Sequence, residues 1–206
     1  MTLGHPNLGT LLDRVGRAMG SERADVQATL FCEGYTWALA DPAVKALLAE
    51  DRLPSLRPAD VVVRYGDDGY PSSVTFLEPD GPASLERLRR ELEDHLAPLI
   101  ADLSATARRP QRALWRSASD RLAQAFAWHG TQLGLAERAC ELGERALALD
   151  GPLGLRPRWT LADGGIEMER NGCCLWWRTA AGEPCPACPL RRRKAAPATA
   201  AAEGAR

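Results

Sequence analysis

The sequence lacks several features that would place a chain in a common functional class. No run of about 18 apolar residues is present, which excludes a membrane-spanning helix. The net charge is only −1, so no overall excess of either sign points to nucleic acid or to a membrane surface. Neither a G-x-G-x-x-G dinucleotide fingerprint nor a P-loop occurs, so the motifs for direct binding of NAD(P)H or ATP are missing.

The first residues also lack a basic stretch followed by an apolar core, which is the pattern of a secretion signal. We therefore expect a cytoplasmic protein, in a reducing compartment where disulfides are rare. With 206 residues and ordinary apolar and charged fractions, the chain is long enough for one domain with a substantial core, with or without a small appendix.

Residues 1–150 are predicted to form a mainly helical domain. Ser21 is the expected N-cap of the second helix, and Asp41-Pro42 is expected to start a further turn or short helix. Between residues 61 and 78, two β-favouring runs flank a segment dense in turn formers, which predicts a β-hairpin. Apolar residues recur at steps of three and four in the first helix and in a later one: Leu8, Leu11, Leu12, Val15 and Met19, then Leu85, Leu88, Leu92, Leu96 and Leu99.

Several residues in this body have reactive or aromatic side chains. Cys32 and Cys140 lie in apolar helical surroundings and are expected to be buried thiols, and His95 on its leucine stripe is expected to be a core histidine with satisfied hydrogen bonds. Three further residues could line a substrate cleft but are better explained as core aromatics and a helix-end histidine: Trp115, Trp128 and His129.

A break at Asp150-Gly151-Pro152-Leu153-Gly154 separates this body from a different pattern. Two strand-like runs with a glycine-rich turn follow, so residues 151–194 are predicted to be a β-hairpin that leads into a cysteine-rich unit. Residues 195–206 are rich in alanine, proline and glycine and are expected to be disordered. The predicted fold class is therefore α+β.

Four of the six cysteines fall within sixteen residues, in the pattern C-C-x10-C-x2-C: Cys173, Cys174, Cys185 and Cys188. Thiolates select zinc, copper(I) or iron–sulfur clusters. A zinc site, two disulfides and a [2Fe–2S] cluster all remain open at this point, although zinc sites usually use two spaced pairs and disulfides are rare in a reducing compartment. Adjacent cysteines can face one site only if the chain bends, and Gly172 is the expected place for the bend.

The motif, with Leu175-Trp176-Trp177-Arg178 after its first pair and Pro189-Leu190 after its last cysteine, resembles the C-terminal signature of FhuF-type ferric siderophore reductases. Leu114-Trp115-Arg116-Ser117-Ala118 loosely resembles the helical core of the same family. The resemblance implies that Cys173, Cys174, Cys185 and Cys188 hold a [2Fe–2S] cluster. It further implies one-electron reduction of Fe(III) in a siderophore, expected to be of the hydroxamate type, bound by the helical body.

Without a dinucleotide motif, the electron is expected to come from a partner such as a ferredoxin or a flavodoxin. The basic run Arg191–Lys194 could attract that acidic partner or an anionic chelate, or it could be a solvated tail junction. Trp176 and Trp177 are expected to cover two sides of a strand leaving the cluster. Two other classes stay open, an iron–sulfur regulator and a zinc-stabilised interaction module without redox chemistry.

Overall fold

The computed structural model describes residues 7–78, 81–163 and 165–191. In that part of the chain, long helices alternate with short antiparallel strand pairs, so the predicted α+β class is confirmed. The helices are α1 (Leu8–Met19), α2 (Ala24–Glu50), α3 (Leu85–Ala107), α4 (Gln111–Gln132) and α5 (Ala136–Ala148).

The strands form three separate antiparallel pairs, each with two members. Both predicted hairpins are confirmed, and a short pair joins the two ends of the segment that carries the first hairpin. The pairs are β1 (Arg52–Leu53) with β4 (Gly81–Pro82), β2 (Val61–Tyr65) with β3 (Pro71–Phe76), and β5 (Arg158–Ala162) with β6 (Gly165–Glu169). Two 3₁₀ helices complete the described elements: Pro58–Asp60 and Trp176–Arg178.

Helix α2 is the centre of the fold, packed against α1, α3 and α4. Its buried residues lie on every side, as expected for a helix enclosed by others. The predicted break at Asp41-Pro42 is wrong, because Pro42 lies inside the continuous helix. Burial of Leu39, Ala43 and Val44 on either side of the proline holds the helix together despite the lost backbone hydrogen bond.

The expected N-cap of α2 is also wrong. The helix begins after Arg23, and the Ser21 carbonyl accepts a hydrogen bond from the Gln27 side chain at 3.1 Å. The serine is buried in the turn that links α1 to α2. There its backbone N–H caps the end of α1 by donating a hydrogen bond to the Gly16 carbonyl.

Most of the structural expectations for single residues hold. Cys32 is fully buried, and burial raises the pKa of its thiol to about 12. His95 is buried, with its ring nitrogens 2.9 Å from the Tyr35 hydroxyl and 2.6 Å from the Leu56 carbonyl. Cys140 differs from the expectation, because it is only half-buried on α5.

The three candidate cleft residues do not share one wall. The His129 ring lies 2.8 Å from the Asp41 carboxylate, which ties α4 to α2. Trp115 packs against the core, whereas Trp128 is half exposed, and the two are roughly 20 Å apart along α4 given 1.5 Å per residue. The structural interpretation of these residues is therefore the better one.

The C-terminal hairpin packs against α4 and α5 of the helical body. Glycines make this contact possible: a Cβ on Gly143 would lie 2.5 Å from the Trp159 ring and 3.0 Å from Phe126. The division at residue 150 stays a prediction. The predicted tail, 195–206, and Arg192 to Lys194 lie outside the described residues.

Alanine at Gly143 should therefore destabilise the protein, because the added methyl group has no space between two aromatic rings. We expect a loss of about 1–3 kcal/mol in the free energy of unfolding, measured by urea denaturation. Gly9→Ala in α1 is the matched control, since nothing lies within 4 Å of its Cβ position, and alanine there should be neutral or stabilising. Equal stability of the two variants would contradict this packing of β5 on α5.

Candidate metal centre

The cysteine motif forms an irregular loop after β6. Its sharp turn lies at Leu175, which has a left-handed backbone with φ of 62°. The expected bend at Gly172 is confirmed, since the backbone bends at Asn171 and Gly172, although Gly172 does not have a positive φ. The expected strand at the tryptophans is wrong, because Trp176–Arg178 is a 3₁₀ helix.

Two cysteines of the loop lie side by side. The Cys174 and Cys185 sulfurs are 3.5 Å apart and share a hydrogen bond. This distance is too long for a disulfide bond of about 2.05 Å, and all six cysteines of the chain are free thiols. A backbone turn links the second pair, where the Cys188 N–H donates to the Cys185 carbonyl at 3.1 Å. Cys174 and Cys188 are buried, whereas Cys173 and Cys185 are half-buried.

The shared proton makes the two adjacent sulfurs unequal. The hydrogen bond from Cys185 lowers the pKa of Cys174 to about 7, against the opposing effects of burial and of the Glu33 carboxylate, and the positive charge of Arg170 adds a smaller lowering effect. The same interaction raises the pKa of Cys185. Because a thiolate is the form that binds a metal, ionisation of one member near neutral pH favours metal capture.

A cluster of charged side chains lies beneath this loop, and all but one of them are buried. It consists of Glu33 from α2, Asp120 and the half-buried Arg121 from α4, and Arg170 directly after β6; we call it the charged base. Glu33 forms ion pairs with both arginines, at 2.9 Å for Arg121 and at very short range for Arg170. Arg170 also lies 3.9 Å from Asp120. Although burial opposes the charged form of Arg170, Glu33 and Asp120 hold its pKa above the usual value.

Asp120 holds the backbone that leads into the first two cysteines. Its carboxylate accepts hydrogen bonds from the N–H groups of Asn171 at 2.9 Å and Gly172 at 2.8 Å. Asp120 is fully buried, and burial raises the pKa of its carboxyl despite these bonds and Arg170. Gly172 packs tightly against α4, where a Cβ would lie 3.0 Å from the Arg116 side chain. The glycine is thus needed for close approach to α4.

The other end of the loop is anchored to the corner between α1 and α2. The Ala180 N–H donates to the Met19 carbonyl at 2.9 Å, and the Arg178 guanidinium lies 3.4 Å from the Asp25 carboxylate. Gly20, which ends α1 with φ of 62°, leaves room for the Ala180 side chain. Arg178 also lies over the ring of the half-exposed Trp177, at 4.6 Å from the ring centroid.

Arg191, the one described member of the basic run, contacts the loop directly. Its guanidinium donates to the carbonyl oxygens of Pro184 at 2.7 Å and Cys185 at 3.1 Å. Since Arg170 also donates its backbone N–H to the Ala187 carbonyl at 2.9 Å, the Cys185–Cys188 segment is held from two sides.

The four thiols fit an iron–sulfur cluster in donor chemistry, and one pair fits in spacing. Two thiolates on one tetrahedral metal are about 3.8 Å apart when each metal–sulfur bond is about 2.3 Å, which is close to the Cys174–Cys185 separation. Within the described ranges, no group of three or more His, Cys, Asp or Glu side chains converges to hold a single metal ion. A two-iron cluster needs only two thiolates on each metal, and the close Cys174–Cys185 pair could supply the two for one iron.

A comparison with protein families finds one match that covers two thirds of the chain. Residues 29–165 match the model described as "Ferric iron reductase FhuF-like transporter". The chain belongs to the FhuF-like ferric iron reductase family. A search of curated proteins gave no significant match. In the described ranges of this family member, no helix has both the length and the apolar character needed to cross a membrane.

The family match contains Glu33, Asp120 and Arg121 of the charged base but ends before Arg170 and the cysteines. Sequence reasoning missed all four residues of this base. A signal was present for Glu33, because it lies in a strongly apolar helix. Charges in such positions need buried partners. The partners, however, are far apart in the sequence.

Proposed function

We propose that this FhuF-like protein is a ferric siderophore reductase whose [2Fe–2S] cluster is held by four thiolates: Cys173, Cys174, Cys185 and Cys188. The close Cys174–Cys185 pair supports this proposal most directly, together with membership of a ferric iron reductase family. When bound, such a cluster supplies electrons one at a time.

One electron is enough for the reaction. Fe(III) in the chelate becomes Fe(II), no covalent bond of the ligand is broken, and the hard oxygen donors of the chelate hold the softer Fe(II) less well. The electron is then replaced by a one-electron donor protein of the ferredoxin or flavodoxin class. No general base or nucleophile is required.

The protein's own residues supply rigidity and charge. Asp120 and Arg191 hold the two halves of the cysteine loop through its backbone, so the thiols keep their positions when the charge on the centre changes. The buried Arg170 guanidinium lies near Cys174 and Cys185 and interacts electrostatically with both sulfurs. The guanidinium favours a reduced, more negative centre, whereas the Glu33 carboxylate opposes this effect at Cys174.

The test is to purify the protein anaerobically and record visible and EPR spectra before and after dithionite, with assays for iron, sulfide and zinc. We expect a red-brown protein with equal iron and sulfide that is EPR-silent until reduced. The reduced protein should then convert an equal amount of ferric siderophore to Fe(II), trapped by a chromogenic chelator.

Each competing interpretation predicts a different result in the same experiment. A colourless protein with one zinc ion, which stays colourless after reconstitution with iron and sulfide, would show a structural zinc module and remove the reductase proposal. A cluster that binds but fails to reduce any ferric chelate, together with salt-sensitive DNA binding, would favour a regulator.

A further inference from the structure

A cavity of about 380 Å³ lies directly beside the first cysteine of the motif. Its wall has two parts, the start of α4 on one side and the backbone that leads into the cysteine loop on the other. The cavity is lined by Arg109, Arg112, Ala113, Arg116, Asn171, Gly172 and Cys173. It is thus within the size range of small-molecule sites and in direct contact with a proposed cluster ligand.

Three arginines make the wall of this cavity positively charged. Arg112 and Arg116 are four residues apart on α4 and therefore lie on one face, where two like charges repel each other. Within the described residues, none of the three arginines forms a close ion pair or a hydrogen bond, and the Nε of the half-buried Arg109 is enclosed without an acceptor. Arg109 interacts electrostatically with Asp25 at longer range. Guanidiniums without a close partner around a cavity call for an anion.

The backbone adds to this positive potential. Helix α4 follows Pro110, which provides no side-chain cap, and the first turn contains no acidic residue. The start of α4, which borders the cavity, therefore carries unpaired backbone N–H groups and the positive end of the helix dipole. Neither feature would identify a site without the three arginines.

The Asp120 and Asp25 carboxylates near the cavity already have other hydrogen-bond or ion-pair partners. Asp120, behind Gly172, is bonded to two backbone N–H groups and lies beside Arg170. Asp25 pairs with Arg23 and Arg178 and also interacts electrostatically with Arg109, so it offsets part of the charge of that arginine. The charges of Arg112 and Arg116 are not cancelled by either carboxylate.

We propose that this cavity binds the substrate, and that it selects strongly anionic ferric chelates such as tris-catecholates over neutral tris-hydroxamates. Guanidinium groups form strong charge-assisted hydrogen bonds with oxyanions, and catecholate oxygens keep negative charge when they bind Fe(III). This inference rests on the proposed reductase function, and it differs from the hydroxamate substrate that the family resemblance implies.

A concave site fits a chelate better than it fits the electron donor. Proteins dock on broad surfaces of roughly 800 Å² per partner, whereas this cavity has the volume of a small-ligand site. Because Cys173 is part of the wall, a chelate held there would lie next to the centre that reduces it.

Redox-inert gallium(III) chelates allow binding to be measured without turnover. The cluster-loaded full-length protein is titrated by calorimetry with gallium tris-catecholate and with a neutral gallium tris-hydroxamate. We expect the catecholate to bind at least tenfold more tightly, with an affinity that falls as salt increases. In Arg112→Gln/Arg116→Gln the catecholate affinity should fall roughly tenfold for each guanidinium removed.

Arg64→Gln/Arg90→Gln is the control, since it removes the same charge from two exposed positions, and Arg90 is roughly 28 Å from Arg109 along the direction of α3. The affinity of this control variant for the gallium catecholate should change less than about twofold. Unchanged catecholate binding in the Arg112/Arg116 variant would overturn the proposal. If that variant showed only a slower reduction of the cluster by ferredoxin, the arginines would be a donor-docking surface. If it showed only a shifted cluster potential, they would be counter-charges.

The two proposals can fail separately. A protein that binds the gallium catecholate in this cavity but holds no cluster would refute the reductase mechanism and leave the binding site intact. A protein that reduces ferric chelates but binds neutral and anionic gallium chelates equally would refute the selectivity and leave the reductase intact.

Discussion

Serine in place of Cys174 is expected to abolish cluster binding while leaving the helical body folded. Cys174 is buried beside Cys185, and a hydroxyl oxygen is a hard, neutral group that replaces a soft thiolate poorly at iron. The loop's anchors to α1, α4 and Arg191 do not involve this sulfur, so the fold should remain. Loss of visible absorption and of bound iron, with an unchanged far-UV circular dichroism spectrum, is the expected result.

Cys140→Ser is the matched control. This half-buried thiol lies on α5, outside the cysteine loop, so the variant should keep the full spectrum and iron content. Cys185→Ser should behave like Cys174→Ser, because the two sulfurs form the close pair. A Cys174→Ser protein with the native visible spectrum would show that our assignment of the ligands is wrong.

The parts of the fold that the sequence predicts are those governed by local periodicity. The leucine stripe of α3 and the two hairpins depend on neighbours within a few residues, so spacing alone identifies them. The spacing of the cysteines is likewise visible in a short stretch of sequence, and the ligand set inferred from it stays a prediction. Membership of the FhuF-like family was also predicted correctly, although the matched region ends before the motif that suggested it.

The features that were missed depend on contacts between distant segments. The buried pair of Glu33 and Arg170 joins positions 137 residues apart, and no local pattern predicts such a partner. Pro42 was taken as a helix breaker by a local rule that burial on both sides overrides. The bend at Gly172 was predicted from the local rule, but the left-handed backbone at Leu175 was not, because nothing in the local sequence favours it on a leucine.

Alanine at Asp120 is expected to have the largest effect on stability among residues that do not bind the cluster. The change leaves the Asn171 and Gly172 N–H groups without their acceptor and removes a counter-charge from the buried Arg170. Breaking a buried ionic cluster from one side costs about 3–5 kcal/mol in the free energy of unfolding. Urea denaturation should show this loss, and the cluster should be released faster, followed as the decay of visible absorption.

Asp120→Asn separates the two roles of the carboxylate, since it keeps one oxygen acceptor but loses the charge. It should fall between wild type and alanine in both stability and cluster lifetime. Asp102→Ala, at an exposed position on α3, should change neither. If the charged base acts as a unit, Asp120→Ala/Arg170→Ala will be less destabilised than the sum of the single variants, because the double variant leaves less uncompensated charge. Strict additivity, with a normal cluster lifetime in Asp120→Ala, would mean that the base does not support the loop and that the cysteines are held by the remaining anchors alone.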